Sequence, residues 1–600
     1  MPAPVPSAVR GTPPRPLGPR ETTGFLLWAG ALGLLLAAAG LGGVFFFTPY
    51  QQVLALGHFT YHDEVFYRLR LVLTPARYAG LQAGLAAALA VAGGALVKLR
   101  GQGSWRAVRA EMRHGQARLG AWWRRLPVPA RRVGTGLLLL LLAARLWYLL
   151  RYPLGTDEIA SYDYFVREGQ LAILSYYPIP NNHIFYNLLA WPLAALDLPC
   201  RLVMRLPTLV VGTAGTAVGY VLLARLMGFR LATLVTGVVG LAPLGVYYAA
   251  VGRGYFVQFC LLQIGFFAML ELLRPQSAYG RLSWLAFVGS SILGLYAVPT
   301  YAYPLASLLL GGSLLARRRG RLELAGSGLI ILSVAVLLYA PVIAVTGWEA
   351  LVANRYVVAR TAAQFWPAFR AVLYESGAEI FGPSLRLSGP AWLGAALLGG
   401  LAVGHWVPAG PRRRAGLLAW AMLLVPVLLM AGQRVYAPVR SILYLSLFGY
   451  LLLGLVLRAL LLRRGVRARG LWPVLLAGVL LIGGGRLWRN EVQMRASRLE
   501  TQQLERAYGW LQAHSKAPVR TTRVWMHAPL HELFFAHYAR LRSGSKLTLT
   551  SGGAQGPARR YDYLVLDNYF TSTKQRIQRA YGPVYHDSLI TVFAPKPGPE

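Results

Sequence analysis

Apolar runs of near-bilayer length recur along the chain at residues 24–47, 79–97, 134–150, 205–227, 230–250, 255–273, 283–299, 301–316, 324–346, 389–406, 415–431, 441–460 and 470–487. Short polar stretches separate them. An apolar run of this length predicts a transmembrane helix, so the pattern predicts about thirteen spans. The pattern changes after residue 487, where Glu, Gln, Lys and His reappear. There the periodicity predicts a helix over Met494 to Gln512 and strands over Arg523–His527, Lys546–Thr550, Tyr561–Asp567 and Ser588–Ala594. A helix over Thr573–Tyr581 is expected between the last two strands. Alternating helices and strands over about a hundred residues imply a small α/β domain.

Composition agrees with a polytopic membrane protein: 56% of residues are hydrophobic and the mean hydropathy is +0.45. The formal charge of +39, from 61 Lys and Arg against 22 Asp and Glu, would suggest nucleic acid in a soluble protein. Here the cations sit in clusters between apolar runs, which is how a membrane protein sets its orientation, so no nucleic-acid partner is expected. The basic loops are Lys98–Arg132, Arg317–Arg319 with Arg321, Arg412–Arg414, and Arg463–Arg464 with Arg467 and Arg469. With thirteen spans all four fall on one side, together with the N-terminal tail, and the positive-inside rule makes that side cytoplasmic. The opposite side receives loops 48–78, 151–204, 251–254, 299–301, 347–388 and 432–440, and the C-terminal region.

Four regions follow: a disordered cytoplasmic tail (1–23), a hairpin of two spans with a basic loop (24–133), a main transmembrane domain (134–487) and an extracytoplasmic α/β domain (488–600). The two cysteines, Cys200 and Cys260, form no CxxC or Cys/His spacing, so neither a zinc site nor a disulfide framework is expected. No GxGxxG or GxxxxGKS loop precedes a helix in the C-terminal region.

Candidate chemistry gathers on the extracytoplasmic side. Asp157 and Glu158 follow directly on the apolar run 134–150, and adjacent carboxylates at a membrane surface are costly to place. Neighbouring residues point in different directions, so the two are not a facing glycosidase-like dyad. One can serve as general base while the other binds a metal or an acceptor, or fixes the loop. Capping of the following helix is the simpler alternative. Next come Asn181-Asn182-His183, after two prolines and before an apolar helix that can lie along the membrane surface. Arg201, Arg205, Arg253, Arg355, Arg360, Arg434 and Arg440 break the orientation pattern. A guanidinium at a bilayer edge suits phosphate, although snorkelling explains any single one. Together these parts describe a carboxylate that deprotonates an acceptor, and arginines that hold a phosphate leaving group.

These residues resemble the GT-C class of membrane glycosyltransferases, in the branch of protein O-mannosyltransferases and aminoarabinose transferases. The resemblance covers about residues 134–490. It rests on the Asp157-Glu158 loop with Tyr162, on Asn182-His183, on Arg205-Leu206-Pro207, on Gly252-Arg253-Gly254-Tyr255 and on Pro438-Val439-Arg440. It implies an all-α GT-C membrane fold and an inverting transferase using a polyprenyl-phosphate-linked sugar, with a glycolipid, glycan or protein as acceptor. Asp157 and Glu158 are then the catalytic pair. Tyr162, Asn182, His183, Arg205, Arg253, Tyr255, Arg434, Tyr436 and Arg440 are the expected substrate contacts. A divalent metal, if used, would lie at Asp157 and Glu158. The implied setting is a bacterial inner membrane with the active site in the periplasm. Two departures stand out: the acidic loop follows the third span rather than the first, and the Glu158–Tyr162 spacing is longer than DExxY. The alternatives are an O-antigen ligase or polymerase with a lipid-diphosphate donor, and a lipid or solute transporter.

Overall fold

The computed structural model describes residues 15–58, 72–178, 180–275, 277–352, 359–381, 389–463, 470–515, 521–541, 547–551, 561–569 and 571–596. Every apolar run of the sequence is helical, and nine helices are long and apolar enough to cross a membrane among the described residues. Helices Gly280–Ala297, Ala302–Leu315 and Gly389–Trp406 account for three more runs. The run at 230–250 is not one span. It divides into Phe229–Gly240 and Pro243–Tyr248, because Pro243 offers no N–H to continue the ladder and holds Ala242 extended (φ −62°, ψ 141°).

The first helix starts at Pro19, so the expected tail is shorter than residues 1–23, and residues 1–14 lie outside the described set. The hairpin Pro19–Phe45 and Pro75–Lys98 packs against Arg318–Val345, so it is part of the main bundle. The basic loop that follows forms an amphipathic helix, Trp105–Arg125. Its one buried acid, Glu111, accepts from the Leu282 amide (2.8 Å) and Arg281 (3.3 Å). Arg464, Arg467, Arg469 and Arg355 lie outside the described residues.

The helix ends sort into two groups. At one end Arg412 and Arg458 donate to the carbonyls of Leu226 and Met227, Arg414 to Leu273, and Arg463 to His405. At the other end residues 149–161, 175–187, 201–205, 251–255 and 297 are joined by hydrogen bonds. This separates the arginine-rich turns from the acidic loop, as the span count requires.

Helix Leu471–Ala513 is continuous over 43 residues, about 65 Å at 1.5 Å per residue. It joins the predicted last span and the predicted helix 494–512 into one rod, which runs into the C-terminal domain. That domain is a five-stranded sheet of β1 (Thr522–Met526), β2 (Leu547–Ser551), β3 (Tyr563–Asp567), β4 (Tyr581–His586) and β5 (Ile590–Pro595), in the order β2-β1-β3-β5-β4. β1 is parallel to β2 and β3, while β5 is antiparallel to β3 and β4. Three elements differ from expectation. The helix expected over 573–581 ends at Ile577 and gives way to β4, and Pro529–Leu541 is an unexpected helix.

Candidate active site

The acidic loop begins where helix Val128–Arg151 stops. Residues 152–155 lead to a short helix, Thr156–Ser161, followed by a π-helical turn over Tyr162–Val166. At the start of this helix the two acids part. Glu158 turns inward with 3% of its side chain exposed, whereas Asp157 is 52% exposed.

Glu158 is fully engaged. It closes a capping box by accepting from the Gly155 amide (3.1 Å). It also takes a two-point grip from Arg205, Nε at 2.8 Å and a terminal nitrogen at 2.6 Å, and the Gly252 amide at 2.7 Å. Burial pushes its pKa up, but Arg205 and the two amides outweigh this, and the net shift is downward. Arg205 spends its other N–H groups on the carbonyls of Leu149, Tyr152 and Pro153. All five of its donors are then used, so Arg205, expected as a phosphate contact, has none left for a ligand. Gly252 must be glycine here: a Cβ would sit 2.7 Å from the Cβ and carbonyl oxygen of Met204.

Asp157 faces a different group. Its carboxylate lies 3.3 Å from Arg253, and its backbone carbonyl accepts from Arg253 (3.2 Å) and from the Asn181 amide (3.1 Å). Arg253 also donates to the Asn181 side-chain oxygen, and its buried Nε has no partner among the described residues. Arg440 donates through Nε to the Tyr255 hydroxyl (2.9 Å), and its terminal amino groups bond to no other described residue. Burial lowers the pKa of both guanidinium groups, but their neighbours outweigh it, chiefly Asp157 at Arg253 and Tyr255 with Asp157 at Arg440, so both stay charged. Two cations therefore face one carboxylate, which leaves an excess of positive charge on a partly open surface.

His183 lies beneath this surface, only 3% exposed. Its Nδ1 is 3.1 Å from the Ala297 carbonyl, which makes Nδ1 the protonated nitrogen and Nε2 an acceptor, without a partner among the described residues. Burial, then Arg253, and Arg440 more weakly, push its pKa well below the ordinary histidine value, so the ring is neutral. Its ring meets Tyr255 edge-on at 4.8 Å, and Tyr248 packs on the other side of Tyr255 at 5.4 Å. The proline break at Ala242–Pro243 brings Tyr248 here.

The remaining expected contacts fall elsewhere. Asn182 is an internal brace, donating to the carbonyls of Ile173 and Tyr176 (both 2.9 Å) and accepting from Asn187 (2.9 Å). The Tyr162 ring turns toward His537 of the C-terminal domain, at 6.3 Å. Tyr436 carries the Arg360 guanidinium 4.0 Å above its ring, while Arg434 is an exposed left-handed residue (φ 54°) whose carbonyl accepts from the Arg360 amide. Asp157 and Glu158 diverge, and no cluster of three or more His, Cys, Asp or Glu suited to a metal exists among the described residues. The two carboxylates on which a metal, if used, was expected thus turn to different partners, Glu158 to Arg205 and Asp157 to Arg253.

Sequence reasoning missed Asp163. It is fully buried and paired with His537 (3.1 Å) and Arg540 (3.1 Å) on helix Pro529–Leu541, so the C-terminal domain is bolted to the acidic loop. Its signal was an acid between two tyrosines in an otherwise apolar segment.

No protein-family model and no curated protein matches the chain. Matching solved structures include ArnT from Cupriavidus metallidurans bound to undecaprenyl phosphate, at 15% identity and a TM-score of 0.39, covering 77% of this chain and 98% of that one. The same protein in the apo state matches at 15% identity and a TM-score of 0.40, with the same coverage. With TM-scores below one half, these likenesses leave the functional reading to the chain's own geometry.

Proposed function

We propose that the chain is an inverting glycosyltransferase that moves a monosaccharide from a polyprenyl-phosphate donor to a glycolipid, glycan or protein acceptor. The observation that carries this is the exposed Asp157 carboxylate set against Arg253 and against Arg440, whose terminal amino groups bond to no other described residue. Asp157 is the base. It removes the proton from an acceptor hydroxyl or amine as that atom attacks the anomeric carbon from the face opposite the phosphate. The bond from the anomeric carbon to the phosphate oxygen breaks, and the polyprenyl phosphate leaves with the electron pair. Arg440 and Arg253 offset the charge that grows on it. His183 and Tyr255 form the wall behind the arginines. Glu158 and Arg205 are positioning residues that hold the loop, and no step runs through a metal.

The lipid tail has a fitting surface. An apolar cavity of about 690 Å3 lies among helices Gly389–Trp406, Pro411–Gln433 and Leu445–Arg463, lined by Trp392, Gly399, Leu452 and Val456 among others. Its first contact on the last of these helices, Gly449, is nine residues beyond Arg440. The proposed setting is a bacterial inner membrane with this end in the periplasm, where lipid-borne rather than nucleotide-borne sugars are at hand.

The test is transfer by purified protein from a polyprenyl-phosphate monosaccharide to a lipid or peptide acceptor. Release of free polyprenyl phosphate, dependent on Asp157, is the expected result. Turnover only with polyprenyl-diphosphate donors, undiminished in Asp157→Asn, would favour a ligase instead.

A further inference from the structure

Arg145 lies inside an apolar run, yet it is 2% exposed. It precedes the end of helix Val128–Arg151 by six residues, and its side chain points away from the candidate active site. A terminal nitrogen donates to the Thr216 hydroxyl (2.8 Å). Thr216 is eleven residues below Arg205 on the same helix, about 16 Å along the axis. The guanidinium is therefore well within the span region. No carboxylate pairs with it among the described residues. The guanidinium also lies over the Phe256 ring, 5.0 Å away, and Nε has no partner among the described residues. An intramembrane arginine normally pairs with an acid or faces a functional cavity.

It faces a cavity. A space of about 30 Å3 is lined by Arg145, Thr216, Tyr220, Thr236, Phe256 and Gln263, among others. The Thr236 hydroxyl has no partner among the described residues and lines the same space. The Arg145 guanidinium and the Thr236 hydroxyl thus line one void, and no carboxylate is among its described lining residues. The void holds roughly two or three water-sized particles, since a single water needs about 10–15 Å3. A phosphate group is too large for it.

We infer that this cavity binds a small monatomic anion of the chloride class, held by the Arg145 guanidinium and the Thr236 hydroxyl. The anion neutralises the buried cation and ties helices Val128–Arg151, Cys200–Met227 and Phe229–Gly240 together. The site is independent of the transfer reading, which uses none of these residues.

The test is a halide titration of the purified full chain, starting from chloride-free gluconate buffer at fixed ionic strength, with melting midpoint followed by tryptophan fluorescence. Chloride and bromide should each raise the midpoint saturably, and phosphate should not. Thr236→Val keeps side-chain volume but removes one donor, and should weaken apparent halide affinity roughly three- to tenfold. Arg145→Gln should abolish the saturable response. Should Arg145→Gln fail to fold, Thr236→Val and a bromide anomalous peak beside Arg145 in crystals of the wild type decide the matter. A wild type indifferent to halide, as water alone in the cavity would give, overturns the inference. So does a response driven by phosphate, or one unchanged in Thr236→Val.

Discussion

At the residue scale, the adjacent acids Asp157 and Glu158 do different work because a helix start sends neighbouring side chains in different directions. Asp157→Asn should lower transfer by roughly 10²- to 10⁴-fold, the usual worth of a positioned base, while the melting temperature falls less than in Glu158→Gln because the Asp157 carboxylate is half exposed. Glu158→Gln should do the reverse in order of severity. It leaves Arg205 without its counter-charge at 0% exposure, and breaking such a pair costs about 3–5 kcal/mol. Melting curves and turnover measured side by side separate the two, and equal melting losses in both variants would defeat the division. Arg440→Ala should raise the donor KM about 10- to 100-fold, the loss expected for charged hydrogen bonds to phosphate. Arg253→Ala should also reduce kcat, because Arg253 holds Asp157. The adjacency of the acids was legible in the sequence. Which one is buried was not, because the deciding partner, Arg205, lies 47 residues further along and across another helix.

His183 adds a pH dependence whose sign is fixed. Its folded pKa is pushed well below 6.5, and that of His531 is also lowered by burial, which outweighs the opposing pull of Asp567. Below pH 6.5 the unfolded chain takes up protons that the folded chain refuses, so stability falls as pH drops from about 6.5 toward the lower folded values. Melting midpoints at pH 7.5 and 5.5 should show this loss, and His183→Gln should shrink it. An acid loss as large in His183→Gln as in the wild type would remove His183 as a source.

At the element scale, helix Pro529–Leu541 matters more than its place in a small accessory domain suggests. Asp163, on the π-helical turn after the acidic loop, is buried against its His537 and Arg540, and Leu533 joins the apolar cluster that holds Ile159 and Ala160. Asp163→Ala leaves two cationic or polar groups facing a void. Hydrogen exchange across 529–541 should rise by at least tenfold, with turnover reduced because the Asp157 loop loses its clamp. Unchanged exchange would show that apolar packing alone docks the domain. Apolar periodicity located nearly every long apolar helix, since bilayer length and backbone satisfaction leave the membrane few solutions. It overlooked this helix because its apolar face is short and interrupted by His531 and His537. It also merged Phe229–Gly240 with Pro243–Tyr248, although Pro243 marks the break.

At the scale of the whole molecule, arginine placement and the acidic loop make one claim: the two ends of the bundle face different compartments. The structure separates the arginine-rich turns from the Asp157 surface, as the loop count demanded, but which end faces the cytoplasm rests on the positive-inside rule. Single cysteines can decide it. Cys200 and Cys260 are buried and give little background. Glu168, exposed beyond the π-helical turn, and Arg319, exposed at the start of helix Arg318–Val345, are both replaceable, since the surface pair of Arg319 with Glu323 contributes little. Glu168→Cys should react with an impermeant maleimide added to intact spheroplasts, and Arg319→Cys only after the membrane is opened. The opposite pattern would put Asp157 in the cytoplasm, beside soluble nucleotide sugars. A lipid-phosphate donor would then lose its rationale, because the geometry of Asp157, Arg253 and Arg440 serves a nucleotide diphosphate as readily as a polyprenyl phosphate. Sidedness therefore selects the donor class, even though the reacting residues stay the same.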